Sequence, residues 1–221
     1  MYLEAVMVCV NYADFLSLTL PFNKKHFDNI VIVTDKDDHN TQNICGRYNV
    51  NCVITNRLYE EGAKFNKGKA INDGISALTR KEWVLITDSD MIMPKDLRVK
   101  LENKRLDQSH IYGTSRLICP TYDEWLSYLE DESIYLNWKH QKRRINVGVG
   151  FFQLINSNNK IIKSRTDWYS EKYGHCARSD RLFWRSFPEN TRKKLKGIVP
   201  IHLGDYNMGA NWNGRITPKW A

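Results

Sequence analysis

Four short, mostly apolar runs constrain this chain more than anything else in it. They are Ala5–Val10, Ile30–Val33, Val50–Ile54 and Val84–Ile86, each closed by polar residues. Rich in Val and Ile, they read as strands buried on both faces of a parallel sheet. Between them the period changes. After Asn11-Tyr12-Ala13-Asp14, the residues Phe15, Leu16, Leu18 and Leu20 follow a helical pattern, and Pro21 is expected to stop that helix. Asp37 and Asp38 can cap a second helix with Ile44, Cys45 and Tyr48 on one side. Repeated strand-then-helix units imply right-handed crossovers, so the fold class is α/β, a mostly parallel central sheet flanked by helices.

A length of 221 residues suits one domain, 1–221, and no linker or repeat divides it. Its character changes near residue 120, from regular α/β to irregular and aromatic. The net charge of +8 favours acidic partners, from nucleotide phosphates to nucleic acid. No run has the length of a membrane span, and Glu4 precedes an apolar segment unlike a secretory signal, so a cytoplasmic protein is expected. The five cysteines are odd in number and never in a Cys-x-x-Cys pair, which suggests neither a disulfide framework nor a structural zinc site.

The fourth run ends in Thr87-Asp88-Ser89-Asp90. Two carboxylates at the carboxyl end of a central strand lie where open α/β sheets place ligands, and they can share a hard divalent cation. Asp and Ser are also ordinary turn formers, so locally the two readings balance. Ahead of them, Gly62 to Gly74 resembles a phosphate loop without being the P-loop type, since five residues separate Gly62 from Gly68 and Ala70 replaces the Ser or Thr. Gly68 opens a helix to about Leu78 with Lys64, Lys67 and Lys69 near its positive end, an arrangement able to hold an anion or simply a solvated basic loop.

Beyond Pro94 a helix begins near Asp96, and Ser109 to Ile118 reads as one strand with Gly113 and Thr114 inside it. The run 139–144 is basic, a solvated loop or a nucleic-acid backbone contact. Val147 to Ile155 reads as a strand entered through glycines. It lacks the third glycine of a dinucleotide fingerprint, which argues against a Rossmann dehydrogenase. Ala177 to Trp184 is helical with Asp180 in its first turn. Ile198 to Leu203 is a strand interrupted at Pro200 and ending in His202-Leu203-Gly204, before a tail dense in Gly and Asn.

In this order the parts resemble the GT-A fold glycosyltransferases related to family 2, that is, the nucleotide-diphospho-sugar transferase fold. The resemblance rests on the Asp-x-Asp of Asp88-Ser89-Asp90, the helix start Lys67-Gly68-Lys69-Ala70-Ile71-Asn72-Asp73-Gly74, a glycine-led strand at Gly148 to Phe152, the helix-head acid Asp180, and His202-Leu203-Gly204 leading into Gly209 to Arg215. It implies a nucleotide-sugar-binding half, 1–119, and an irregular acceptor-binding half, 120–221. It further implies a metal-dependent transferase using a nucleotide sugar, a UDP-sugar above all, with Mn²⁺ or Mg²⁺ held by Asp90, by Asp88 directly or through water, and by His202. Asn11, Tyr12 and Asp35 would lie near the nucleoside, Asp88 near the ribose, and Lys67 or Lys69 near the phosphates. Asp180 would be the general base. Each role has a plainer counterpart: a strand-end turn for Asp35, a helix-dipole acid for Asp180, a hydrogen-bonded histidine for His202. Ser179 stands where related sequences carry a second acid, which leaves the stereochemical outcome open.

The acceptor is open as well. Small proteins of this type occur in bacteriophages, and the basic runs 139–144 and 193–196 point toward a hydroxymethylated pyrimidine in DNA, acted on in the host cytoplasm. Trp168, Trp184 and Trp212 are then available to stack on a flipped base or else belong to the core. A glycan, lipid-linked or small-molecule acceptor is the alternative. A nucleotidyltransferase is disfavoured by the absence of a Gly-rich first turn, and a non-catalytic nucleic-acid or sugar-binding module by the two acids and the late histidine.

Overall fold

The computed structural model describes residues 1–141, 150–174, 176, 178–204 and 218–220. Strand and helix alternate through its first part: β1 (Leu3–Val8), α1 (Ala13–Asn23), β2 (Asn29–Asp35), α2 (His39–Tyr48), β3 (Asn51–Thr55), α3 (Lys67–Ser76) and β4 (Trp83–Asp88). There follow β5 (Met91–Ile92), α4 (Leu97–Glu102), β6 (Ile111–Gly113), β7 (Arg116–Cys119), α5 (Tyr122–Glu130) and β8 (Lys139–Gln141). The remaining elements are β9 (Gln153–Asn156), α6 (Lys160–Lys163), α7 (Ser179–Arg185), β10 (Arg192–Lys194) and β11 (Ile201–Leu203).

Among the described residues, seven strands form one sheet in the order β10-β6-β9-β4-β1-β2-β3, and four form a second, β5-β11-β7-β8. Strands β3, β2, β1 and β4 run parallel. Strand β9 enters antiparallel between β4 and β6. Because β1 has β2 on one side and β4 on the other, strand order reverses there, and the crevice at their carboxyl ends is the ligand position of such sheets.

The period-two pattern explains the layers. Leu3, Ala5 and Met7 of β1 belong to a core with Leu16 and Leu20 of α1, whereas Val6 belongs to a second core with Ala70, Ile71 and Ile75 of α3. Glu4 is buried at 0% exposure, and its carboxylate accepts from Asn29 Nδ2, Thr79 N, Thr79 Oγ1 and Arg80 N. It therefore ties the loop between α3 and β4 to the start of the sheet.

Four local expectations need correction. Pro21 lies inside α1 and does not stop it. The last turn is held from outside, since Asn23 Nδ2 donates to the Met91 carbonyl at 2.7 Å and its Oδ1 accepts from Met93 N at 2.8 Å. The segment 109–118 is two strands, not one: β6 joins the large sheet and β7 the small one. The break falls at Thr114 and Ser115, and the Thr114 hydroxyl donates to the Ile198 carbonyl, anchoring the chain where it passes between the sheets. Lys139–Gln141 is a strand paired with β7, while 142–144 lies outside the described residues. The glycine-led strand begins at Gln153; Gly150 and Phe151 form a turn, and Gly148 lies outside the described residues, as do Gly209 to Arg215.

Candidate active site

The chain leaves the large sheet at Asp88 and enters the small one at Met91, so Asp88-Ser89-Asp90 is the hinge between the two sheets. Buried polar residues of α1 fix this turn. Thr19 Oγ1 donates to the Ser89 carbonyl at 2.7 Å, and Asn23 holds Met91 and Met93. Strand β11 closes on it from the other side, with Leu203 N donating to the Asp90 carbonyl at 2.9 Å. Thr19 and Asn23 were missed in the sequence, although polar residues four apart on an apolar helix face are a visible signal.

That closure brings His202 to Asp90, with Nε2 3.3 Å from Oδ2. The other ring nitrogen, Nδ1, lies 3.1 Å from the Gly204 carbonyl. Gly204 has φ +99°, a conformation glycine adopts freely, and this turn carries its carbonyl back to the imidazole. A carbonyl only accepts, so Nδ1 carries a proton, and in the neutral ring Nε2 then presents a lone pair toward a carboxylate. Two acceptors facing each other require a cation, either a proton on the ring or a metal ion. The remaining oxygen, Asp90 Oδ1, is buried and has no hydrogen-bond partner among the described residues. Burial alone would raise the Asp90 pKa. His202, with Arg116 and Lys67, outweighs it and holds the group below the ordinary carboxylate range.

Asp88 is placed differently. Its Oδ1 accepts from Lys67 Nζ at 2.7 Å, and the same ammonium lies 3.2 Å from Asp180 Oδ2. One lysine thus joins the acid after β4 to the acid at the head of α7. Burial disfavours the charge on Lys67, but the two carboxylates override this and raise its pKa. Asp180 is raised: burial lifts it, Lys67 opposes, and Asp88 adds to the rise. Tyr169 Oη is 2.6 Å from Gln153 Oε1 and 3.2 Å from Asp180 Oδ1, and Gln153 Nε2 donates to the Asp180 carbonyl at 3.1 Å. Gly150 abuts this carboxylate so closely that any Cβ there would overlap it. Tyr169 and Gln153 carry no motif, and only packing assigns them here.

The rest of the Lys67 to Gly74 motif is structural. Asn66 caps α3 by accepting from Lys69 N at 3.1 Å. Asn72 clamps the Tyr169 backbone, donating to its carbonyl at 2.9 Å and accepting from its N–H at 2.9 Å. Lys69 Nζ is 2.9 Å from Glu60 Oε2, and Lys64 is exposed. The ammonium groups of Lys67 and Lys69 are thus both matched by carboxylates.

At the ends of β1 and β2, Asp38 gathers the loops. It accepts from Asn11 N at 2.8 Å, from the hydroxyls of Thr34 and Thr41, and from Thr41 N. Asn11 takes φ +59° in this turn, and Tyr12 stacks on Phe15. Asp35 is buried and accepts from Asp37 N at 2.9 Å. Exposed Tyr59 lies near enough that, after burial, the charges of Asp35 and Asp38 raise its phenol pKa. Asp90 and His202 thus come together, as do Asp88, Lys67 and Asp180; Asn11, Tyr12 and Asp35 line the adjoining strand ends. A cavity of about 590 Å³ lined by Phe22, Ile92, Leu117, Tyr128 and Ile201 lies elsewhere, on the face of the small sheet opposite His202. We take the acid and histidine cluster as the site, because the chemistry-bearing groups converge there.

No known family model matches the sequence, and no curated protein sequence matches it. Solved structures do. A glucosyl-3-phosphoglycerate synthase from Mycobacterium tuberculosis, crystallised with Mn²⁺, UDP-glucose and glycerol 3-phosphate, superimposes with a TM-score of 0.52 over 92% of this chain and 70% of its own, at 10% identity. The same enzyme with phosphoglyceric acid gives 0.51 at 9% identity over 92% of this chain and 70% of that one. A mycobacterial protein gives 0.52 at 12% identity over 91% of this chain, which spans 65% of that structure. At this identity the likeness shows a shared fold, and that fold is GT-A, as expected.

Proposed function

We propose that this chain is a metal-dependent glycosyltransferase that moves a sugar from a nucleotide-sugar donor, a UDP-sugar, to a hydroxyl acceptor. The observation that carries this reading is the Asp90–His202 pair, with an imidazole Nε2 3.3 Å from a half-buried carboxylate whose other oxygen is buried and has no partner among the described residues. A carboxylate and a carbonyl-tethered imidazole form a donor set suited to Mn²⁺, with Mg²⁺ as the second choice. No third ligand completes a cluster among the described residues. Asp88 supplies it when Lys67 releases its Oδ1, or acts through water. A divalent cation bound there supplies positive charge against the donor diphosphate as its bond to the sugar breaks.

The chain's own residues then divide the work. Asn11, Tyr12 and Asp35 flank the nucleoside at the ends of β1 and β2. Lys67, kept charged by its two carboxylates, stands where a phosphate displaces one of them; Lys69 serves through its tie to Glu60. Asp180, held by Tyr169 Oη and lifted toward neutrality, accepts the acceptor hydroxyl's proton in a direct displacement. The Mn²⁺ and UDP-glucose bound by the structurally similar synthase support the donor and metal class.

Among acceptors, the hydroxymethylated pyrimidine in DNA keeps its charge argument, because Lys193, Lys194 and Lys196 are exposed on and beside β10. Its stacking argument weakens: Trp168 and Trp184 are core residues at 3% and 2% exposure, and Trp212 lies outside the described residues. We therefore keep the acceptor at the level of a hydroxyl compound, with glycan, lipid-linked and small-molecule acceptors beside DNA. No helix of the described residues is long and apolar enough to cross a membrane, and the cysteines are free thiols, which suits the cytoplasm, or the host cytoplasm for a phage protein.

The test is UDP release from UDP-glucose and the thermal shift given by UDP-glucose with Mn²⁺. Asp90→Asn is expected to cut turnover roughly a hundredfold or more and to abolish the Mn²⁺-dependent shift while the metal-free Tm stays within a few degrees. Turnover indifferent to both chelation and Asp90→Asn would sink the proposal. Pyrophosphate as the product would select a nucleotidyltransferase.

A further inference from the structure

Nearly all of the chain's positive excess lies in one stretch. Residues 156–204 carry eleven Lys and Arg against four Asp and Glu, in a protein of net charge +8. Two of those acids are engaged, Glu171 by Arg57 and Asp180 by Lys67. Several of the cations meet at the tail of α7. Arg165, just after α6, donates from Nη1 to Ser186 Oγ at 3.1 Å and to the Trp168 carbonyl at 3.5 Å. Arg192, which opens β10, donates from Nη2 to the Arg185 carbonyl at 3.0 Å and from Nε to the Phe187 carbonyl at 2.8 Å. Two guanidinium groups are thus held on consecutive residues, 185 and 186, and the Arg185 side chain leaves from the same turn.

What holds them is neutral. Every acceptor just named is a carbonyl or a hydroxyl, and neither arginine makes an ion pair among the described residues. The half-buried Arg57 and Arg98 differ, since Arg57 meets Asp73 and Glu171, and Arg98 meets Asp28 and Glu102. Those carboxylates raise their pKa values, whereas burial alone lowers that of Arg165. A half-buried guanidinium without a counter-ion is stabilised by an anion from outside. Ligand can reach it, because Arg165 and Ser186 line an open cavity of about 730 Å³ with Tyr173 and Leu182. Arg192 also takes up carbonyls at the helix end that would otherwise repel an anion.

The surroundings say what kind of anion fits. Ile162 of α6 and Phe183 of α7 pack into one core, so the two helices belong to one layer. On that layer Lys160, Lys163, Arg181 and Arg185 are exposed and make no ion pair among the described residues. Exposed large hydrophobic side chains stop at Leu136 among the described residues, so this surface offers no apolar anchor. Protein and membrane contacts draw on such anchors, whereas interfaces with nucleic acid are polar and strongly positive. We propose that the tail of α7 is a phosphate-binding surface for a nucleic-acid strand, with Arg165, Arg185 and Arg192 on its backbone phosphates and Lys163 and Arg181 extending the track. Arg185 lies about 8 Å along α7 from Asp180, outside the acid and histidine cluster. The inference concerns binding alone and does not rest on the donor reading.

Fluorescence anisotropy of a labelled single-stranded oligonucleotide, followed over a range of salt, tests it with wild type, Arg165→Gln, Arg185→Gln and Arg105→Gln. Arg105 is exposed beside Leu106, which packs on the opposite face of the large sheet, so its variant removes the same charge away from the surface. The wild type is expected to bind, with an affinity that falls as salt rises. Arg165→Gln and Arg185→Gln should each weaken binding about fivefold or more and lower the slope of log K against log salt by about 0.7, one phosphate contact on a single strand. Arg105→Gln should leave both near wild type. Equal losses from all three variants would mean diffuse charge and overturn the assignment, as would no binding or an affinity indifferent to salt. If Arg165→Gln does not fold, Arg185→Gln decides, because the Arg185 side chain makes no hydrogen bond or ion pair among the described residues. Polyglutamate that displaces the oligonucleotide at equal charge, or anionic vesicles that bind where the oligonucleotide does not, would give the surface to a protein or a membrane and overturn the proposal.

Discussion

His26 and Glu4 show how differently this chain treats its buried polar side chains. Glu4 is fully buried and satisfied by four donors, whereas His26 is 3% exposed and its Nε2 has no partner among the described residues. Burial, then the charge of Lys25, lowers the imidazole pKa from 6.5 to about 4, with Arg98 adding to the effect and Asp96 opposing it. A depressed folded-state pKa means that the unfolded chain binds the proton more readily. The stability tied to neutral His26 is therefore complete above pH 6.5 and is lost as the pH falls toward 4, a span worth roughly 3 kcal/mol. Urea unfolding at pH 7 and pH 4.5 should show this slope, and His26→Phe should flatten it; an equal slope in the variant would assign the acid sensitivity to the carboxylates. The candidate chemistry was legible at this scale because Asp88, Asp90, Asp180 and His202 are residue types with chemical uses in a suggestive order. Tyr169 and Gln153 were not, because Tyr and Gln are common and nothing local distinguishes one that packs against a carboxylate-bearing turn.

At the scale of elements, α3 shows what its glycines and asparagines are for. A Cβ on Gly74 would lie 2.6 Å from Val33 Cγ2 and 2.7 Å from Val6 Cγ1, both on fully buried strand residues. One on Gly68 would lie 2.6 Å from the Ser170 carbonyl oxygen. The motif read as a phosphate-binding start is thus first a docking device, setting helix against sheet at close range and clamping Tyr169 through Asn72. Gly74→Ala gains up to about 1 kcal/mol in helix propensity and loses about 1–3 to overpacking. A net loss of about 1–2 kcal/mol is expected, read as a lower urea midpoint at unchanged m; a more stable variant would mean that the helix can retreat. Helix and strand identities in the first ninety residues were legible because each element's period matches its burial. Pro21 and the 109–118 segment misled because long-range bonds from Asn23 and Thr114 overrode local preference.

For the whole molecule, the expected nucleotide half and acceptor half are interleaved. Strand β9 fills the sheet between β4 and β6, and β11 lies between β5 and β7. Residues 1–119 alone would therefore leave β4 with a bare edge and the small sheet without its central strand. We expect one cooperative unfolding transition, with calorimetric and van't Hoff enthalpies equal, and a 1–119 fragment that does not fold. Two resolved transitions, or a fragment with native-like amide dispersion, would show separate units. UDP-glucose with Mn²⁺ at a hundredfold the dissociation constant should stabilise that single transition by about 2.7 kcal/mol.

By itself the sequence determined the strand-and-helix alternation, the parallel core and the two acids at the end of β4, because these depend on local period and on residue type. Whether those acids formed a turn or a site was not decided locally. Tertiary structure decided which groups surround them: β11 zips onto the Asp90 backbone and delivers His202 from the far end of the chain, and Gly150 and α7 fold so that Asp180 shares an ammonium with Asp88. Such encounters depend on strand order and register, and no window of neighbouring residues contains them.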